Sequence, residues 1–181
     1  MSRRGARPRA GTAHTLRAAF RHAWTGVCET LASERNMRIH SAAAAAMFLF
    51  MLVVRPPLPD VVLVIATSAV VMGAEQLNTA VELLTDEVCA GEVTDWARRV
   101  KDAAAGAVLL TSGGAAAVGL YILAHAWPWH WRLFSAVHVF GAAASAVCLA
   151  GLGIVWVYVW RRKEKEATSW KKQDFDPGSQ P

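Results

Sequence analysis

Four stretches of this chain are almost wholly apolar, and most are long enough to cross a bilayer. They run from about Ser41 to Val54, Val61 to Val88, Ala103 to Ala126 and Leu133 to Trp160. A hydrocarbon core of about 30 Å takes roughly 20 helical residues. The first block is shorter than that before Arg55-Pro-Pro-Leu-Pro-Asp60 stops it, so its helix is predicted to begin earlier, near Asn36. The chain of 181 residues is 54% hydrophobic with a mean hydropathy of +0.27, an excess that calls for a non-aqueous solvent. The reading is an all-α integral membrane protein.

The basic residues lie outside the apolar blocks. A net charge of +5 in a soluble protein would suggest nucleic acid as a partner, but topology explains it more simply here. With the N-terminus inside, 17 of the 19 Lys and Arg fall on the cytoplasmic side, leaving Arg55 and Arg132 outside. Four spans then return both termini to the cytoplasm. The N-terminus lacks the apolar core of a cleaved secretory signal. Residues 1–11 read as a disordered basic segment. Over residues 12–40, Leu16, Phe20, Ala23, Trp24, Val27 and Leu31 recur at spacings of three and four, opposite Arg17, Arg21, His22 and Glu29. That pattern predicts an amphipathic helix in the membrane interface. Trp127, Trp129 and Trp131, with Trp156 and Trp160, mark helix ends. Residues 161–181 mix charge with Gly and Pro and read as a disordered tail touching anionic lipid.

The second block carries what a lipid-facing helix should not. Glu75, Asn78, Glu82 and Asp86 spread over roughly a quarter turn at about 100° per residue, so they line one space. Ionisable groups at such depth are costly and are usually functional. Several carboxylates on one stripe repel unless a cation sits among them, and hard oxygen donors suit Mg²⁺. Two further polar clusters, Ser33 to His40 and Arg98 to Asp102, fall on the same side of the membrane. Each by itself reads as an ordinary charged flank. Cys28, Cys89 and Cys148 form no paired motif and read as free thiols, and the six histidines form no ligand pattern. The small residues in 112–119 and 141–145 suit close helix packing. No GxxxxGK[ST] phosphate loop is present.

Four ordered blocks carry a resemblance: Phe20-x-x-Ala-Trp-x-Gly26, Glu34-Arg-Asn-Met-Arg-Ile-His40, Glu75-x-x-Asn-Thr-Ala-Val-Glu82 with Asp86, and Lys101-Asp-x-Ala-Ala105. From about Arg17 to Ala126 the chain resembles the prokaryotic diacylglycerol kinases and their undecaprenol kinase relatives. The resemblance implies a lipid kinase that moves a phosphate from ATP to the hydroxyl of diacylglycerol or undecaprenol. By it, Glu75 is the general base, Asn78 orders the site, and Glu34 and Glu82 hold Mg²⁺. Lys101 and Asp102 contact the nucleotide, supported by Asp86, with Arg17 a further contact. It also implies a three-span membrane domain over 12–126, assembled as a homotrimer with sites between subunits. The span at 127–160 and the tail are additions to that core. The loop Cys89-Ala-Gly-Glu-Val-Thr-Asp95 replaces the family's Glu-Tyr-His stretch, and Thr15 stands where a basic residue is expected. Two other classes fit the helices: an ion or proton carrier, which needs polar groups through the full thickness, and a non-catalytic scaffold, which leaves Glu75 and Glu82 without a purpose.

Overall fold

The structure, a computed structural model, describes residues 16–92, 94–133 and 135–173, with side chains omitted at 166 and 169–173. Its regular structure is wholly helical: α1 (Leu16–Ser33), α2 (Arg35–Val54), α3 (Leu58–Val88), α4 (Asp95–His125) and α5 (Val139–Gln173). The expectations for residues 1–15 and 174–181 lie outside the described residues.

The breaks have local causes. Pro56 and Pro57 end α2 and open α3, since a proline ring fits a helix start and not its interior. Gly91, at φ 78°, makes the turn after α3, and the Thr94 hydroxyl accepts from Ala97 N at 3.1 Å to start α4. α2 begins at Arg35, close to the expected Asn36.

Helix length sets the depth of everything else. At 1.5 Å per residue α2 is ~30 Å long, one bilayer core, whereas α3 and α4, with 31 residues each, are ~46 Å. The excess leaves an α3–α4 hairpin projecting ~16 Å beyond the α1–α2 elbow. α2, α3, α4 and the 139–165 part of α5 are each long and apolar enough to span, and only 11–28% of their most apolar windows is buried within the chain. Leu109, Leu110, Leu120 and Phe140 stand out from the protein as they would into lipid.

α4 packs along α3, and α5 runs antiparallel down α2. The main core joins Ala44, Phe48 and Met51 of α2 to Val61 and Val64 of α3 and Ile122 of α4, with Ala144, Cys148, Leu149 and Leu152 of α5 against it. Gly141 lets α5 close on the α2–α3 turn: a Cβ there would meet the Pro56 carbonyl at 3.2 Å and Val61 Cγ2 at 3.3 Å. α1 keeps Leu16, Phe20, Trp24 and Val27 exposed along one stripe and turns Cys28 and Leu31 inward.

Three boundaries differ from the sequence reading, the first being the start of α4, which opens at Asp95 behind its Thr94 cap, eight residues before the expected Ala103. The fourth span was expected from Leu133, yet its helix starts at Val139. The reason is Arg55, whose guanidinium donates to the carbonyls of Leu133, at 2.7 Å, and of Ser135. Arg132 N donates to Val53 O at 3.0 Å, and His138 Nδ1 meets the Arg55 carbonyl at 2.9 Å. The carbonyls of Leu133 and Ser135, held by a guanidinium from another turn, are not free to open a helix. At the other end α5 does not stop at Trp160 but continues to Gln173, so residues 161–173 are helical rather than disordered. Trp160 Nε1 donates to Glu164 Oε1 at 2.8 Å, one turn on, and Lys163 and Arg162 reach α1.

Candidate active site

Glu75 sits on α3 about where α2 begins, and it is 1% exposed. A carboxyl buried in an apolar helix bundle is expensive to hold without partners. The groups around it come from three helices. Glu75, Asn78, Asn36, His40, Ala105, Val108, Leu109 and Ser112 line a half-open cavity of about 220 Å³ between α2, α3 and α4. Asn36 hydrogen-bonds toward the carboxyl; His40 offers it attraction when protonated, and Glu34 and Glu82 oppose its charge. Among the described residues, Glu75 Oε2 and Asn78 Oδ1 are buried without a hydrogen-bond partner. Both residues line the polar cavity, and the unpartnered oxygen on each leaves hydrogen-bonding capacity that a bound group could take up.

Asn78 spends its other end on orientation. Its Nδ2 donates to Glu82 Oε1 at 2.8 Å, one turn further along α3. Glu34 occupies the break between α1 and α2, half-buried, with extended backbone at φ −85° and ψ 126°. It precedes α2 as the N-cap residue, but its carboxylate makes no capping bond and stays available.

Beyond this chamber, on the projecting hairpin, Lys101 Nζ of α4 is paired with Asp86 Oδ1 of α3. Asp86 lies 11 residues past Glu75, ~16 Å along the helix. Asp102 turns toward Arg98, 3.9 Å away on its own helix. The structure therefore brings Glu75, Asn78, Glu82 and Glu34 into one neighbourhood and Lys101 with Asp86 into a second. Arg17 joins neither. It stands exposed nine residues before Gly26, which lies beside Gln76 of α3, ~13 Å away along the helix.

Mg²⁺ needs oxygen donors, and the described residues contain no group of three or more His, Cys, Asp or Glu that would cage a metal. The donors present still fit this ion, which commonly takes one or two carboxylates and completes its shell with water and phosphate. Glu34 and Glu82 both lie close enough to Glu75 for their charges to oppose its own, so three carboxyl groups share this neighbourhood.

Asn36 and His40 were missed as site residues in the sequence. The signal was present: they are four apart, hence on one face of α2, inside a polar segment that opens an apolar helix. Ser112 of α4 gave no such signal, since its neighbours read as packing residues.

A second cavity adjoins the first. About 510 Å³ in volume, it is an apolar groove with α3 as its floor and α2 and α4 as walls, including Ala43, Met47, Val64, Val71, Ala116 and Gly119. His40, Leu109 and Ser112 line both spaces, so the polar chamber opens directly into the groove.

A family model described as prokaryotic diacylglycerol kinase matches residues 21–123. Over 107 residues the chain is 37% identical to a diacylglycerol kinase of Synechocystis sp., an overlap covering 59% of this chain and 61% of that relative. Over 104 residues it is 33% identical to an undecaprenol kinase of Bacillus subtilis, covering 58% of this chain and 84% of that one. The chain thus spans about three fifths of the length of the first relative. No solved structure matches it significantly. Helix α5 lies wholly outside the matched residues.

Proposed function

The chain belongs to the prokaryotic diacylglycerol kinase family, and on that premise we propose that it transfers the γ-phosphate of ATP to the hydroxyl of a membrane lipid alcohol, diacylglycerol or undecaprenol. The observation that carries this reading is the pair of adjoining cavities: a buried carboxyl with an unpartnered oxygen belongs to a polar chamber that meets an apolar groove at His40, Leu109 and Ser112. A lipid alcohol has the same division, with its chain suited to the groove and its hydroxyl to Glu75.

In this mechanism Glu75 Oε2 accepts the proton of the lipid hydroxyl as its oxygen forms a bond to the γ-phosphorus and the bond to the bridging β–γ oxygen breaks, releasing ADP. Such a transfer depends on positioning and charge stabilisation more than on covalent chemistry. Asn78 fixes Glu82 through its amide, and Asn36 and His40 bound the hydroxyl's side of the chamber. Lys101, steered by Asp86, and Asp102 lie beyond the membrane level, within the reach of an extended nucleoside triphosphate whose γ-phosphate is near Glu75. Glu34 and Glu82 would hold Mg²⁺, whose charge screens the phosphate oxygens when bound. The elbow and hairpin face the cytoplasm of a bacterial inner membrane, the source of ATP, and the assembly is a homotrimer as the family resemblance implies.

A carrier would need polar groups through the whole thickness. Beyond His40 the groove is lined instead by Ala43, Ala44, Met47, Val64 and Ala115, with Thr67, Ser68 and Ser112 its polar side chains.

The test is transfer of labelled γ-phosphate from ATP with Mg²⁺ to diacylglycerol and, separately, to undecaprenol in mixed micelles. At least one lipid is phosphorylated, and Glu75→Gln loses roughly 10²- to 10⁴-fold of the rate, the range of a general base. No transfer to either lipid, or a Glu75→Gln variant as fast as the parent, rejects the proposal.

A further inference from the structure

We propose that the basic end of α5 is a clamp on the α1–α2 elbow, with Lys163 a positioning residue that holds Glu34 at the nucleotide site. The inference rests on the reading of Glu34 as a holder of the nucleotide's metal and extends it to a helix that lies outside the family match.

The elbow needs holding because it is where two helices part. The last carbonyls of α1 have no partners within their helix and carry the negative end of its dipole. Lys163 Nζ donates to the Ala32 carbonyl at 2.7 Å, across 131 residues of sequence. Arg38 Nη1, one turn inside α2, donates to the same carbonyl at 2.9 Å and reaches Ser33 O at 3.4 Å. Two cations from two helices thus converge on the end of α1. One turn earlier Arg162 Nη2 lies 3.6 Å from Glu29 Oε1. Just inside, Val159 of α5 is buried with Cys28 and Leu31 of α1 and Met37 of α2.

Glu34 is the residue immediately after this clamp. Its backbone N–H still donates to Thr30 O at 2.8 Å, and its carbonyl receives Arg38 N at 3.4 Å, so it hangs between the two helices. Glu34 is already close enough for its charge to oppose that of Glu75. Any change in the angle between α1 and α2 therefore moves Glu34 relative to Glu75 and Glu82. A cavity of about 350 Å³ lined by Cys28, Glu29, Ala32, Ser33, Val159, Arg162 and Lys163 separates α1 from α5 here. The Lys163 and Arg162 contacts span that space beside the apolar packing of Val159, and they give the end of α1 a directional hold that packing does not. A methionine at 163 keeps the stem and loses the donor; an arginine restores the donor and fits the room.

The experiment compares the full chain with Lys163→Met and Lys163→Arg in mixed micelles, with two readouts. The first is hydrogen exchange of the peptide covering residues 30–38, which needs no activity. The second is lipid phosphorylation as a function of ATP at matched Mg²⁺. Lys163→Met speeds elbow exchange at least threefold and raises the KM for MgATP three- to tenfold. Its kcat and lipid KM stay within twofold of the parent, and Lys163→Arg returns both readouts to within twofold. Unchanged elbow exchange overturns the clamp. Faster exchange with an unchanged KM for MgATP, an equal loss for lipid and nucleotide, or no recovery in Lys163→Arg overturns the positioning role. A parent protein that phosphorylates neither lipid rejects the kinase reading instead, while elbow exchange still decides the clamp.

Discussion

Asn78→Ala should damage turnover through a carboxylate it does not itself carry. The Asn78 amide donates to Glu82 Oε1 at 2.8 Å, and a hydrogen bond to a charged acceptor contributes about 1.5–3 kcal/mol. If that energy fixes Glu82 for the bound nucleotide, its loss lowers kcat/KM by roughly 10- to 150-fold at about 1.4 kcal/mol per decade. Asn78 Oδ1 has no partner to lose, and Glu82 stands half-buried near the membrane boundary, where water can replace the donor. The melting temperature in detergent should therefore move by only a few degrees, roughly what 1 kcal/mol produces. The assay is a double-mutant cycle on phosphoryl transfer, using Asn78→Ala, Glu82→Ala and the pair. When the amide acts through Glu82, adding Asn78→Ala to Glu82→Ala costs less than about 0.5 kcal/mol, or roughly twofold. Losses that multiply in the double variant would refute the argument and leave Asn78 acting on the substrate directly.

Two further predictions concern packing and thiol chemistry. Gly141→Leu forces side-chain atoms into the Pro56 carbonyl and Val61, so unfolding in detergent should become easier by about 1–3 kcal/mol, whereas Gly153→Leu, with open space around it, should change little. Equal stabilities for the two variants would contradict the close approach of α5. Burial is the main force pushing the Cys28 thiol above its ordinary value, which lowers the reactive thiolate at neutral pH; Arg162 partly offsets it and Glu29 adds to it. With 2% exposure as well, Cys28 should be alkylated at pH 7.5 at least roughly tenfold more slowly than Cys89, and the gap should narrow as pH rises. Peptide mapping after timed alkylation reads the order directly.

What the sequence determined by itself is depth and face. The spans were legible because a bilayer demands a length of apolar helix whatever the helix touches, which is why α2 and α3 fall close to their expected places, while α4 ends as expected but opens eight residues early. The stripe of Glu75, Asn78, Glu82 and Asp86 was legible because helical periodicity fixes it before any partner is known. Tertiary structure decided which groups meet. Lys101 pairs with Asp86 across a turn, Asn36 and His40 arrive at Glu75 from another helix, and Arg17 is left outside. Arg55 delays the start of α5 through carbonyls some 80 residues away in sequence, and Lys163 reaches a carbonyl farther off still. Such pairings escape a local reading for a physical reason. Lipid is as apolar as the helix faces, so hydrophobicity sets which segments enter the membrane but not which helices pair; shape, small residues and hydrogen bonds choose among the pairings.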